Sequence, residues 1–140
     1  MKFVLLGKIH GKDRPRFARR GAFVSTYNTQ KTINYEKLIK LTCLRDCKDV
    51  LNKEYTGPVK MIIWAYFEPA KSISKKKYKE LIGKPHLKKP DTDNIAKCVS
   101  DALNKIAYND DSQICELIVH KQYAEIERLE VEILEVDNER

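Results

Sequence analysis

Residues 93–136 read DNIAKCVSDALNKIAYNDDSQICELIVHKQYAEIERLEVEILEV, and the change of hydrophobic period along them decides the fold class. Ile95, Val99, Ala102, Leu103 and Ile106 recur at i, i+4, i+7, i+8 and i+11, a single apolar stripe on a helix. That helix runs from Asp93 to Ile106, about 14 residues or roughly 21 Å. Tyr108–Ser112, YNDDS, is a polar turn. Gln113–Gln122 then reads as a strand. Ile126–Val136 reads as another, with Leu129, Val131 and Ile133 alternating against Glu130 and Glu132. Tyr123-Ala124-Glu125 is expected to turn one into the other as a hairpin, although no Asn-Gly pair marks it.

Working outward, VKMIIWAYF at Val59–Phe67 is rich in β-branched and aromatic residues and predicts a strand, with Trp64 and Tyr66 as core. Thr56-Gly57-Pro58 ends the preceding element, a helix expected over Thr32–Asn52. Leu38, Leu41, Leu44 or Arg45, and Leu51 would form its apolar face. Lys2–Ile9 predicts the first strand. His10–Gly21 reads as a loop from its glycines and proline, and it is basic: five lysines and arginines stand against Asp13. Lys71–Lys89 holds eight lysines and one acid, Glu80, with at most a turn of helix around Tyr78–Ile82. The order β-α-β-α-β-β predicts one α+β domain over residues 1–140, a mixed sheet with two main helices.

The 140 residues suffice for one core that needs neither disulfide nor zinc. The four cysteines, Cys43, Cys47, Cys98 and Cys115, form no C-x-x-C pair and are expected to be reduced and mostly buried. The apolar part of MKFVLLG is too short for a secretory h-region, and no run approaches membrane-spanning length, so a cytoplasmic protein is expected. Net charge is +7, yet Glu125–Arg140 carries seven acids against Arg128 and Arg140. A basic body with an acidic last strand points to a polyanion met by one face; lysines that only keep a small protein soluble are the plainer alternative.

KPDTDNIAK, Lys89–Lys97, places Asp91 and Asp93 just ahead of the second helix, and Asp110-Asp111 follow its far end. Two readings stand. The aspartates cap the helix and shape the turn, worth about 1 kcal/mol at a cap, and Lys97 forms an i, i+4 surface pair with Asp101. Alternatively the carboxylates meet, and their mutual repulsion calls for a divalent cation, Mg²⁺ or Mn²⁺ on hard oxygen ligands. Such an ion activates water and stabilises charge in phosphodiester hydrolysis, with Lys97 as a fixed cation. Spacing alone leaves the meeting open, since the second aspartate pair lies at the other end of the helix unless that helix is short or its exit bends. An EF-hand is excluded, because Ile95 and Ala96 stand where an oxygen ligand and glycine belong. In RPRF, Arg14–Phe17, arginines on phosphate with Phe17 against a base compete with a solvated loop. His10, His86 and His120 suggest no site.

KPDTDNIAKCVSDALNKIAYNDDSQI, Lys89–Ile114, closely resembles the signature of the RusA family of Holliday junction resolvases: K-P-D-x-D-N-[LI]-x-K, then D-A-L-N, then D-D-x-Q-[IV]. RPRFARRG and KTINYEKLI, Lys31–Ile39, look like the amino-terminal half of its phage and Gram-positive branch. The resemblance implies a Mg²⁺-dependent endonuclease (Mn²⁺ being the alternative ion), acting as a homodimer on four-way DNA junctions without a small-molecule cofactor. It implies a catalytic set of Asp91, Asp93, Asp111 and Lys97. The metal would be held by Asp91, Asp93 and Asp111, with Asp110 as a further candidate ligand. In the family the carboxylates converge, across the dimer-related surface if not within one subunit. Arg14, Arg16, Arg19, Arg20, Lys75, Lys76, Lys77, Lys88 and Lys89 would hold the DNA backbone. A non-catalytic basic DNA-binding protein and a less selective branched-DNA nuclease are the alternatives. Two departures stand out: Lys105 replaces the glycine that often follows D-A-L-N, leaving Asn104 to supply the left-handed helix end, and STYNTQ at Ser25–Gln30 lacks the usual proline.

Overall fold

Val59–Phe67 (β4) is the most apolar strand, and a strand of that kind is most stable with a neighbour on each edge. It takes the interior of a mixed four-stranded sheet whose order is Lys2–Leu6 (β1), Arg128–Glu135 (β6), β4 and Ile114–Tyr123 (β5). The computed structural model describes residues 1–48 and 55–137. β1 pairs antiparallel with β6, β6 pairs antiparallel with β4, and β5 runs parallel to β4. Gly7, at φ 114, ends β1 three residues short of the expectation, in a conformation that favours glycine. The α+β class, with its mixed sheet, is as expected.

The predicted β5–β6 hairpin does not form, because β4 lies between the two strands. Ala124 N–H donates to the Phe67 carbonyl at 2.9 Å as the chain crosses the end of β4. The polar content of β5 (Glu116, His120, Lys121, Gln122) suits it to an edge, leaving the centre to β4.

One face of the sheet is buried beneath Gln30–Asp46 (α1) and Thr92–Ala102 (α3). Met61, Ile63, Leu129, Val131 and Ile133 from the strands meet Ile39, Cys43, Ile95, Val99 and Leu103 from the helices and the α3 exit. Ile63 lies beside Val131 on one side and Val119 on the other. Each such fully buried side chain contributes about 1.5–3 kcal/mol relative to exposure. The opposite face is half-open, which corrects the placing of Trp64 and Tyr66 in the core. β4 alternates strictly, and these two share its outer face, where Lys2 lies over Trp64 and Arg128 over Tyr66.

In α1, Thr32, Tyr35, Ile39, Thr42 and Cys43 are buried, while Leu38, Leu41 and Leu44 face outward, the reverse of the expected stripe. Lys37, Lys40 and Arg45 stand beside the three leucines, so turning that face inward would bury charge along with it. The predicted end of that helix, with Leu51, falls outside the described residues. Thr29 caps α1 by accepting from Thr32 N–H, so STYNTQ starts the helix without its proline.

Two further elements go beyond the expectation. Arg16–Arg20 (β2) and Phe23–Tyr27 (β3) form a separate hairpin where a loop was expected, turning through Gly21 at φ 61. Lys75–Leu81 (α2), capped by Ser74, is a short helix within the lysine-rich segment. Cys43, Cys47 and Cys98 are buried thiols and Cys115 is exposed. No helix among the described residues is long and apolar enough to cross a membrane.

Candidate active site

Asp91 occupies the N-cap of α3, but its carboxylate makes no capping bond; the helix starts on its backbone carbonyl, which accepts from Ile95 N–H. Asp93 lies in the first turn, where the helix dipole favours an anion. Both side chains are exposed. The i, i+3, i+4, i+7 face that starts at Asp93 carries Ala96, Lys97 and Ser100. This face lines a groove whose other wall is Asp111, Ile114 and Leu117.

Asp111 reaches that groove because α3 is three residues shorter at its start-to-exit span than the apolar stripe implies, and because its exit bends. The helix ends at Ala102. Ile106 and Ala107 N–H both donate to the Leu103 carbonyl, and Lys105 takes φ 63. The left-handed residue is thus Lys105 itself, where the family pattern often has glycine, and not Asn104. Tyr108 then donates its hydroxyl to the Ser100 carbonyl at 2.7 Å, doubling the chain back on the helix. Asn104 Oδ1 accepts from Asp111 N–H at 3.2 Å. Downstream, the Gln113 amide donates to the carbonyls of Tyr55 (2.7 Å) and Gly57 (2.9 Å), anchoring the 3₁₀ turn Asp111–Gln113.

Asp91 faces a second groove, lined by Ile9–Arg14, Lys89, Pro90 and Asn94. The loop is locked there by shape and charge. Gly11 packs so closely that a Cβ on it would lie 2.7 Å from Pro90 Cβ, and Lys12 N–H donates to the Asn94 carbonyl at 3.0 Å. Lys12 Nζ lies 2.5 Å from Asp101 Oδ2 and 3.1 Å from Glu36 Oε1, tying α3 to α1. Asp101 Oδ1 in turn lies 3.1 Å from Lys97 Nζ. Burial pushes the Asp101 carboxyl up, but bonds from Lys12 and Lys97 prevail and hold it below the usual carboxylate range. Burial likewise pulls the Lys12 ammonium down, and Asp101 and Glu36 more than reverse that.

The carboxylates therefore divide into two kinds. Asp101 is fully engaged. Asp110 is spent on its turn, accepting from Ser112 N–H and hydroxyl, and those bonds lower its pKa. Asp13 accepts from the Thr29 hydroxyl at 2.6 Å, which lowers its pKa in turn. Among the described residues, nothing engages the carboxylates of Asp91, Asp93 or Asp111. Asp93, Lys97 and Asp111 share one groove and Asp91 opens onto the next. Among the described residues, no three acidic, histidine or cysteine side chains converge closely enough to cage a metal.

Of the basic residues, Arg14 lines the Asp91 groove and also the adjoining one at the root of the hairpin, with Arg16, Tyr27 and Lys31. Lys88 and Lys89 lead into α3, and Arg19 and Arg20 project from β2. Lys75, Lys76 and Lys77 form the exposed first turn of α2. Lys12, Glu36, Asp101, Asn104 and Tyr108 shape the site without having been named as site residues; Asp101 and Asn104 had a signal, both lying in D-A-L-N and Asp101 also at i+4 from Lys97. His86 is a buried histidine stacked on Phe67 at 3.8 Å between centroids.

A basic α+β chain with open carboxylates and a lysine along one helix has the charge pattern that phosphodiester hydrolysis calls for. The comparison with known families is specific: residues 7–134 match the Endodeoxyribonuclease RusA family, and the chain belongs to it. The uncharacterized protein YqaN of Bacillus subtilis (strain 168) is 37% identical over 140 residues, covering 97% of this chain and 96% of its own length.

Proposed function

We propose that the protein is a divalent-metal-dependent endodeoxyribonuclease that resolves four-way DNA junctions as a cytoplasmic homodimer. One observation carries the reading: Asp93, Lys97 and Asp111 share a groove with both carboxylates unengaged, in a chain of net charge +7. Unpaired acids in a basic protein are what a site awaiting a cation and a phosphate requires. Mg²⁺ is commonly held by only one or two carboxylates together with substrate phosphate oxygens and water, so this open donor set fits an ion recruited with DNA. Asp93 and Asp111 would hold it, with Asp91 from the neighbouring groove. Asp110 would join only by giving up its bonds to Ser112.

When bound, the ion supplies an activated water and a Lewis acid for the phosphodiester. The chain's own residues do the rest. Lys97, 60% exposed yet tethered by Asp101, holds a positive charge beside the scissile phosphate. Arg14 and Lys89, lining the Asp91 groove, bring the phosphate backbone to the acids. Lys88 stands next to that groove, and the exposed Lys75, Lys76 and Lys77 would add further phosphate contacts.

The deciding experiment is cleavage of a synthetic four-way junction beside a linear duplex of the same sequence. It is run with Mg²⁺, Mn²⁺ or EDTA, for wild type and Asp93→Asn. Paired symmetric nicks in the junction alone, lost in EDTA and in the variant while binding persists, are the expected result. Equal cutting of forks and flaps would make it a less selective branched-DNA nuclease. Binding without cutting under any condition would leave a basic DNA-binding protein and return Asp91 and Asp93 to helix-end roles.

A further inference from the structure

The β2–β3 hairpin projects apolar rings into solvent on both of its faces. Cross-strand register puts Arg16, Ala18 and Arg20 on one face with Tyr27, Ser25 and Phe23, and puts Phe17 and Arg19 on the other with Thr26 and Val24. Phe23 is 80% exposed, Phe17 74% and Val24 63%. A lone two-stranded ribbon is marginally stable, so apolar groups on both of its faces need a partner to be worth their exposure. The chemistry of that partner is written in the charge: Arg14, Arg16, Arg19, Arg20 and Lys31 appear with no acid between Arg14 and Lys31.

We propose that this ribbon is inserted into the open centre of a branched DNA, with Phe17 and Phe23 stacking on exposed base-pair faces on either side of it. The inference rests on the junction reading above and adds the element that recognises the branch. A docked second copy would cover one face of the ribbon, and a duplex groove offers phosphates and base edges. Only a gap between helical stacks presents flat aromatic surface to both faces at once. Phe23 lies at the tip, across from Arg20 and beside the Gly21-Ala22 turn, and Phe17 is farther back toward the root. Arg16 and Arg20 share a face at i and i+4, about 13–14 Å apart, so they can meet phosphates on the two sides of the inserted tip. The ribbon's root shares its groove residues His10, Asp13 and Arg14 with the groove of Asp91. A strand displaced at the branch is therefore delivered along Arg14 to the carboxylates.

The test uses a four-way junction carrying 2-aminopurine at the branch point, titrated in EDTA so that nothing is cut, against wild type and Phe17→Ala/Phe23→Ala. Unstacking by the wild type raises the fluorescence. The double variant loses most of that rise and binds the junction at least about tenfold more weakly, from the usual worth of a stacked base, while its duplex affinity moves far less. Because the rings touch little of the protein, its melting temperature stays at the wild-type value. An unchanged fluorescence rise in the variant overturns the proposal. So does a wild-type dimer that becomes monomeric on losing the rings, as that assigns them to a subunit contact. Junction cleavage by the wild type, followed in parallel with Mg²⁺, separates the two levels. Cleavage without any fluorescence rise sinks the inserted ribbon and keeps the nuclease, whereas no cleavage and no junction preference sink both.

Discussion

Replacing Lys12 with methionine keeps its stem and removes its charge, which isolates what the Lys12 bridge contributes. The Lys12 side chain is only 15% exposed, and Glu36 and Asp101 are each 21% exposed, so the loss is that of charged hydrogen bonds in partly dry surroundings. Such bonds are worth about 1.5–3 kcal/mol each. Asp101 keeps Lys97, but Glu36 has no other cation among the described residues, so a total near the middle, about 3 kcal/mol, is expected. For a chain of this length that lowers the melting temperature by about 10 °C. Lys97→Met is the control, because an ammonium 60% exposed in an i, i+4 pair is worth below about 0.5 kcal/mol. Thermal unfolding by circular dichroism measures both. The acid limb adds a second check. The Asp101 carboxyl titrates below its ordinary value in the folded protein, so its stabilisation is complete above that value and disappears as pH falls through the folded one. The gap between wild type and Lys12→Met should thus narrow below about pH 4. A Lys12→Met melting temperature within 2 °C of wild type (roughly half a kcal/mol), or a loss no larger than that of Lys97→Met, would refute the bridge as the lock between loop and helices.

Gly11→Ala should destabilise by about 1–3 kcal/mol in urea melts, since its methyl would meet Pro90 Cβ at 2.7 Å and Asn94 Cβ at 3.2 Å and push the loop off the start of α3. Lys105→Gly should stabilise by about 0.5–1 kcal/mol in the same assay, because φ 63 costs a side chain more than it costs glycine. His86 is held neutral down to about pH 4, by burial first and then by Lys121 and Lys88. The unfolded chain takes up that proton near the ordinary histidine value, so stability is full above it and falls as pH drops from about 6.5 to about 4. The loss is about 1–2 kcal/mol after screening near the surface, and His86→Phe should flatten that part of the stability profile.

Where burial is one-sided, the sequence was readable. α3 and β6 announce themselves because each hides one face and shows the other. The β2–β3 ribbon escaped notice for the converse reason: with no core on either side, RFARRGAFVSTY has no alternation to read. In α1, exposed Leu38, Leu41 and Leu44 compete with the buried Tyr35–Ile39 stripe, and hydrophobicity alone chose wrongly. Strand order depends on which edges accept hydrogen bonds, a property of the assembled sheet that local pattern does not carry, so the β5–β6 adjacency was misread. The site shows the same split. Asp91, Asp93 and Lys97 sit within one helical turn or two and are legible from spacing. The return of Asp111 hangs on Tyr108 reaching the Ser100 carbonyl and on Asn104, contacts that only the folded exit of the helix creates. Convergence of the carboxylates was implied by the family signature alone, and the fold puts Asp93 and Asp111 on one groove with Asp91 on the next.

The placement of β4 between β5 and β6 also sets an order of events during synthesis. β1 pairs only with β6, residue Phe3 beside Val131, and the terminal amino group of Met1 donates to the Ile133 carbonyl. During synthesis β1 therefore waits for β6, and β4 keeps an open edge for the same interval. Nascent chains stopped before residue 128 hold every proposed catalytic residue yet lack the strand that joins the amino terminus to the sheet. A nascent chain therefore completes the sheet behind the proposed site only once β6 has emerged.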